Sequence, residues 1–347
     1  MAEPYYRDES VTLYHGDALE VASTLPTESV NLLLTDPPYF QVRPEDWDRQ
    51  WKNVSKFLEW MGSWMDAVQP ALTASASLYV FASPELTRDV EQLMAERWSL
   101  LSTIRWLKSG FGWHNALADQ RESLRDYISP WEGIVFAEER CSDYADTSTD
   151  LHRQVFAPIG GYIRSERERA GWEQNDLEVS MGFVRTANPR RGTELVRRWE
   201  EGSSLPTADA YLRMRDVLNR DGGTYLKREW AELKREWEEL RIEFESLRRP
   251  FTLSDLHTPS DIWNYPILPT GKRCHPCQKP LVMLDLMITA SSRPGDTVLD
   301  VFAGSGSTLE AARNCGRKAI GVEVNEHYCE LIAKRLAQGC LDFGDAS

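Results

Sequence analysis

Short apolar runs alternate with amphipathic stretches over residues 11–137, and the alternation resumes at Asp296. VTLYHGD leads into the helical ALEVASTLP, and the apolar run Val30–Leu34 then meets a proline turn, as a strand buried on both faces does. The pattern predicts a helix over Val54–Val68, a buried strand over 77–82 (SLYVFA) and a helix over Glu85–Glu96. Strands follow over 100–108 (LLSTIRWLK) and 132–137 (EGIVFA). After Asp296 come the strand and turn TVLDVFAGSGST, a helix to Cys315, the strand KAIGVE over 318–323 and a last helix from Asn325 to about Gln338. Strands alternating with helices predict an α/β fold with a doubly wound, mostly parallel sheet.

Between about residues 140 and 250 charged helical patterns replace the apolar strands, which marks an inserted helical module. The predicted organisation is a first half of the sheet domain over 1–140, an insert over 141–250 and a second half over 251–347. Within the insert, residues 160–220 are similar to helix-turn-helix domains of the phage-repressor kind. A basic helix runs to Ala170-Gly171, a second to Gly182, and a later one ends in RRWEEG. The stretch FVRTANPRRGT between the second and third helices is too long for a tight turn and reads as a basic loop. Over residues 225–249, Leu226, Leu233, Leu240 and Leu247 repeat every seven residues, with Trp230, Trp237 and Phe244 four residues after a leucine. Such a seam fits first a long helix packing within its own chain, with a homodimer or partner contact as the alternative.

Composition narrows the class. With 41% hydrophobic residues the chain can build a sizeable core, and no apolar run reaches the roughly 20 residues of a membrane span. The polar, acidic segment Met1–Ser10 does not resemble a secretory or transit signal. Six scattered cysteines suit a reducing, cytoplasmic setting. The net charge of −14 argues against a general nucleic-acid coat, but screening makes the local patch count more than the sum. Arginines do cluster: Arg121 and Arg125, then Arg185, Arg190, Arg191, Arg197 and Arg198, the last five being candidate DNA contacts.

Two motifs carry chemistry. Asp36-Pro37-Pro38-Tyr39 directly follows a buried strand. An exocyclic base amine has its lone pair delocalised into the ring; a carboxylate from Asp36 and the carbonyl of Pro37 accepting its hydrogens would free that lone pair. The prolines stiffen the loop and Tyr39 offers a face for a base rotated out of a duplex. Read alone, the same four residues also make an ordinary turn. The second motif, Asp300-Val301-Phe302-Ala303-Gly304-Ser305-Gly306, runs from a strand into a helix start where backbone N–H groups can meet a ligand. Glu323, about 20 residues on at the end of the next strand, is placed to bind ribose hydroxyls, which favours an adenosine-containing cofactor. Cys274 and Cys277 form a CxxC without a second pair, so no metal is expected.

Taken together these residues resemble the amino-methylating DNA methyltransferases, in the permuted (beta) group whose catalytic half comes first and whose cofactor half comes last. The resemblance covers roughly residues 10–140 and 255–340. His275-Pro276-Cys277-Gln278-Lys279-Pro280 matches the family's HPxQKP stretch, and Gly16-Asp17 its GD. Val301 stands where the family usually has proline. The resemblance implies the S-adenosylmethionine-dependent methyltransferase fold in permuted motif order, with S-adenosyl-L-methionine as cofactor. It places Gln278 and Lys279 near the methionine end of the cofactor, Lys279 as partner of its carboxylate, and Asp17 near its adenine. Aspartate at the first motif position implies adenine N6 as the expected target, with cytosine N4 as the alternative and a catalytically inactive DNA-binding regulator as a reading of another class. The implied partner is double-stranded DNA in a bacterial or phage setting; a cognate restriction nuclease is a candidate partner that the sequence leaves open.

Overall fold

The computed structural model describes residues 3–40, 49–109, 129–139, 147–185, 188–253, 260–267 and 278–338. The chain divides into two compact units, Met1–Cys141 with Arg249–Ser347, and Ser142–Arg248. Among the described residues no helix is long and apolar enough to cross a membrane. Arg121, Arg125, Cys274, His275, Pro276 and Cys277 lie outside the described residues.

Among the described residues, the first unit is built on nine strands: β1 (Tyr6–Arg7), β2 (Val11–His15), β3 (Val30–Thr35), β4 (Leu72–Ala82), β5 (Ser99–Ser109), β6 (Trp131–Glu138), β9 (Ile262–Pro266), β10 (Thr297–Asp300) and β11 (Lys318–Glu323). Their order is β1-β2-β11-β10-β3-β4-β6-β5-β9. The run from β2 to β4 is parallel, as the apolar strand pattern predicts. β6 runs antiparallel to both β4 and β5, and β9 lies parallel to β5 at the edge. Sequence patterning missed β9, whose five residues IWNYP alternate exposed and half-buried and never form an apolar run.

Alternation along each strand feeds two cores. Leu33, Leu78, Val80 and Leu299 face helices α1 (Ala18–Ala22), α2 (Val54–Val68) and α3 (Thr87–Ala95). Leu32, Leu34, Tyr79 and Val298 face α9 (Leu281–Ser291), α10 (Ser307–Asn314) and α11 (Glu326–Gln338). Helices on both faces of a central parallel sheet give the doubly wound arrangement. Its strand order reverses between β10 and β3, where the carboxyl ends of the strands leave a crevice. Thr35 closes that gap at its base by donating to Asp300 Oδ1 at 2.8 Å, so Asp36 and Asp300 are brought to one edge.

The second unit contains α4 (Thr147–Arg169), α5 (Gln174–Ser180), the hairpin β7 (Val184–Arg185) and β8 (Asn188–Gly192), α6 (Leu195–Glu200), α7 (Ala208–Leu218) and α8 (Trp230–Leu247). Its core gathers Ile163, Leu177, Val196, Trp199, Tyr211 and Met214. Where the pattern predicts a basic loop, the structure has the β7–β8 hairpin. Asn175 on α5 anchors its end, accepting from Gly192 N–H at 3.0 Å, and Glu178 on the same helix accepts from the backbone N–H of Glu194 (2.7 Å) and Val196 (2.8 Å), satisfying the start of α6. The leucine repeat also needs correcting at its start. Leu226 precedes α8 with φ +49°, its N–H donating to Glu166 at 2.7 Å, so the helix begins four residues later. From there Leu233, Trp237, Leu240 and Phe244 pack within the unit, against neighbours that include Phe156, while Leu247 is 49% exposed.

Candidate active site

A cavity of about 590 Å³ opens at the carboxyl edge of β3 and β10. Its wall carries Asp36, Pro37, Pro38 and Tyr39 at one end, and Asp17, Asp300, Phe302, Gly304, Ser305 and Glu323 toward the other. Gly306 and Gln278 are not among the lining residues. Gly306 serves the turn: it has φ +73°, and a Cβ there would come within 2.9 Å of Ile332, so only glycine lets α10 start this close to α11.

Glu323 ends β11 with both oxygens engaged by backbone, Oε2 accepting from Gly304 N–H and Oε1 from Asn325 N–H, each at 2.8 Å. A carboxylate oxygen has two acceptor positions, so each keeps one for a ligand. Burial pushes Glu323 above the usual carboxylate range, and these two N–H donors only partly offset it. Asp300 is almost fully buried, and burial pushes it up to about 6 against the hydrogen bonds it accepts from side chains and from Phe302 N–H. Asp17 caps α1 through Leu19 N–H at 2.9 Å while lining the cavity. Phe302 packs on Trp60 and Trp64, each with centroids 5.4 Å away, and Trp60 reaches the cavity wall.

At the other end, Lys279 reaches Asp36 Oδ2 at 2.5 Å, Tyr39 Oη at 3.4 Å and Glu132 Oε2 at 3.5 Å. Its ammonium sits 4.7 Å from the ring centre of Phe81 and 5.4 Å from that of Tyr39, an aromatic cage that favours a desolvated cation. The ammonium that the resemblance places at a cofactor carboxylate lies here in close contact with Asp36. Lys108 donates to Glu132 Oε1, completing a line Asp36–Lys279–Glu132–Lys108. Burial pushes Asp36 above its usual range; Lys279 opposes this and Glu132 adds to it. Burial also opposes ionisation of Glu132, but its two lysines outweigh it and hold the carboxyl below its usual range. Asp36 Oδ1 is buried and accepts no hydrogen bond among the described residues. Phe40, just after the motif, has φ +61° and packs on Phe57 at 5.6 Å, so the loop is held in a conformation that costs about 1 kcal/mol or more.

Sequence reasoning missed Lys108, Glu132 and Trp60. The signal for the first two was a charge at the end of each apolar run: Lys108 ends one strand and Glu132 opens the next. Because β5 and β6 are antiparallel, with Trp106 opposite Glu132, both fall at the same edge.

The arginines belong to the second unit. Arg185 pairs with Glu194 and donates to Gly192 O at 3.1 Å, and Arg197 lies 3.6 Å from Glu194 and 3.8 Å from Glu201. Arg191 and Arg198 are exposed and have no acidic partner within 4 Å among the described residues. Arg190 lies on β8, and its side chain is outside the described set.

The sequence profile of the N6/N4 methyltransferase family, described as DNA methylase, matches residues 30–335. The chain belongs to this family. The methylase is 24% identical to the DNA adenine methyltransferase YhdJ of Escherichia coli (strain K12), over 95% of this chain and 84% of YhdJ. It is 22% identical to the type II methyltransferase M2.LlaDCHI of Lactococcus lactis subsp. cremoris, over 98% and 94%. Among solved structures, the PvuII DNA methyltransferase (cytosine-N4-specific) matches with a TM-score of 0.54 at 14% identity, covering 99% of this chain and 91% of that one. The likeness shows a shared methyltransferase fold.

Proposed function

We propose that the methylase transfers a methyl group from S-adenosylmethionine to the N6 amine of adenine at specific sites in DNA. The observation that carries this reading is Asp36 Oδ1, a buried acceptor without a partner among the described residues, on the wall of the cavity that also holds Glu323. An unsatisfied buried carboxylate oxygen costs stability unless a donor arrives, and an exocyclic amine is such a donor.

The residues present suit the cofactor. The cavity lies within the size range of small-molecule sites, and Glu323 keeps an open acceptor position on each oxygen for two ribose hydroxyls. Asp17 lies on the same wall for the adenine, and Phe302 with Trp60 supplies apolar surface. When bound, S-adenosylmethionine supplies an electrophilic methyl group. The protein's part is to make the amine a nucleophile. Asp36 Oδ1 and the Pro37 carbonyl accept its hydrogens, drawing the nitrogen toward tetrahedral geometry and freeing its lone pair. Tyr39 stacks on the extruded base. The nitrogen gives up one proton in gaining the methyl group, and Asp36 is the acceptor nearest to it.

Adenine is favoured by aspartate at the first motif position and by the adenine methyltransferase named among the relatives. The second unit serves as the DNA reader, with Arg191 and Arg198 as exposed cations that have no acidic partner among the described residues. The test is incubation with unmethylated genomic DNA and S-adenosylmethionine, read by nucleoside mass spectrometry and modification-aware sequencing. N6-methyladenine in a fixed context is the expected result. N4-methylcytosine would overturn the base assignment and keep the mechanism; no modified base would favour the inactive regulator.

A further inference from the structure

Glu132 and Lys108 lie outside both motifs, yet they complete the charge line that ends at Asp36. Glu132 is buried on β6, takes Lys108 on Oε1, and turns Oε2 toward Lys279 at 3.5 Å, too long for a hydrogen bond. Lys279 therefore stands between two carboxylates, in close contact with one and within electrostatic reach of the other. A buried carboxylate and a half-buried lysine on the cavity wall have no packing reason to be charged. Two apolar side chains would fill the same space without the desolvation cost of two ions.

We propose that Glu132 and Lys108 are positioning residues for methyl transfer, which set how strongly Lys279 binds Asp36 and hence how good an acceptor Asp36 is. This rests on the reading of Asp36 as the acceptor for the target amine. An ammonium given wholly to Asp36 would neutralise it and leave a weak acceptor. An ammonium shared with Glu132 keeps Asp36 ionised without exhausting its basicity. Lys108 limits the share, because it offsets the charge of Glu132. Among the described residues, the groups facing Asp36 are Lys279 from the segment before α9, Glu132 from β6 with Lys108 behind it from β5, Tyr39 from its own loop and Asp300 from β10.

The geometry fixes opposite signs for different variants. Removing the negative charge with Glu132→Gln takes away the carboxylate that competes with Asp36 for Lys279, so the acid limb of the methyl-transfer rate moves to lower pH and the plateau falls. Lys108→Met frees the charge of Glu132, and the limb moves to higher pH. Lys279→Met moves it further in the same direction, by about one pH unit or more, as loss of an adjacent opposite charge does. Lys108→Arg keeps the cation and returns the limb toward the wild-type position.

The experiment is the single-turnover methyl-transfer rate of the full-length protein across pH, with DNA and S-adenosylmethionine saturating. Opposite shifts for Glu132→Gln and Lys108→Met, with Lys108→Arg restoring the wild-type limb, are the expected result. Limbs that stay put, or move the same way in both variants while the rate falls, would show a merely structural role and overturn the proposal. If Glu132→Gln does not fold, the Lys108→Met and Lys108→Arg pair decides alone. Asp36→Asn separates the two readings: if it keeps full activity, Asp36 is not the acceptor and the premise falls with the proposal. If it is inactive while the Glu132 and Lys108 limbs do not move, only the proposal fails.

Discussion

The two ends of the cavity hold their carboxylates in different ways. Glu323 is gripped by two backbone N–H groups, from Gly304 and Asn325, and its position is as fixed as the strand and turn that carry it. Asp36 is held by side chains, in closest contact by Lys279, which is itself drawn toward a second carboxylate. A binding carboxylate needs geometry, which backbone supplies. A reacting carboxylate needs a tuned affinity for hydrogen, which neighbouring charges supply and backbone alone does not. Each end thus carries the kind of support its proposed task requires.

The largest effect expected from breaking this contrast is at Asp36. Asp36→Ala should lower methyl transfer by at least about 1,000-fold, since a single preorganised polar partner of a transition state is worth that order, while cofactor affinity by calorimetry stays near wild type. Loss of both together would mean that the two ends are not separate. At the other end, Glu323→Gln should weaken S-adenosylmethionine binding by about 100-fold, the loss of one to two charge-assisted hydrogen bonds. Because an amide NH₂ would then face a backbone N–H, its melting temperature should also fall.

Asp300 sharpens the comparison, being buried between the two ends. Its folded pKa of about 6 lies above the ordinary carboxylate value, so the folded state binds its proton more tightly than the unfolded chain does. Its ionisation therefore destabilises the fold as pH rises from about 4 to 6, by up to about 3 kcal/mol, and the cost is constant above that range. Asp300→Asn keeps the oxygen that accepts from Thr35 and Phe302 N–H. The variant should melt higher than wild type at pH 7.5, with the gap closing toward pH 4; a gap independent of pH would refute the assignment of the charge as its source. The smallest effect touches neither end. Arg191→Ala with Arg198→Ala should lower the salt dependence of DNA binding by about two counter-ions and leave the cavity chemistry intact. Arg185→Ala should change it less, because Glu194 already neutralises that guanidinium.

The parallel strands and the cavity ends were legible in the chain because each announces itself locally. Val30–Leu34 is a continuous apolar run, and the Asp36 and Asp300 motifs sit directly after strands. Lys108 and Glu132 were not legible as a pair. Their proximity follows from the antiparallel turn of β6 between β4 and β5, a property of strand order rather than of either run. The hairpin Val184–Gly192 escaped for another reason: it forms no apolar run and contains Pro189, and its end is tied to Asn175 on the preceding helix rather than by any local pattern. Leu226 kept the heptad spacing but left the helix, because a hydrogen bond to Glu166 fixes it in a left-handed turn.

The strand order β2-β11-β10-β3 also governs the way the protein is made. β2 and β3 leave the ribosome well before their partners β11 and β10, which follow only after the whole second unit has been made; Leu32 waits for Val298 and Val11 for Ala319. Until then the growing chain carries two unpaired apolar strand edges, the feature that most invites aggregation. Closure of the sheet is a long-range event, slow by comparison with the local packing of a helical unit. Growth temperature, elongation rate and holding chaperones should therefore weigh heavily on the yield of active enzyme, and a chain cut before β10 would leave both edges open for good.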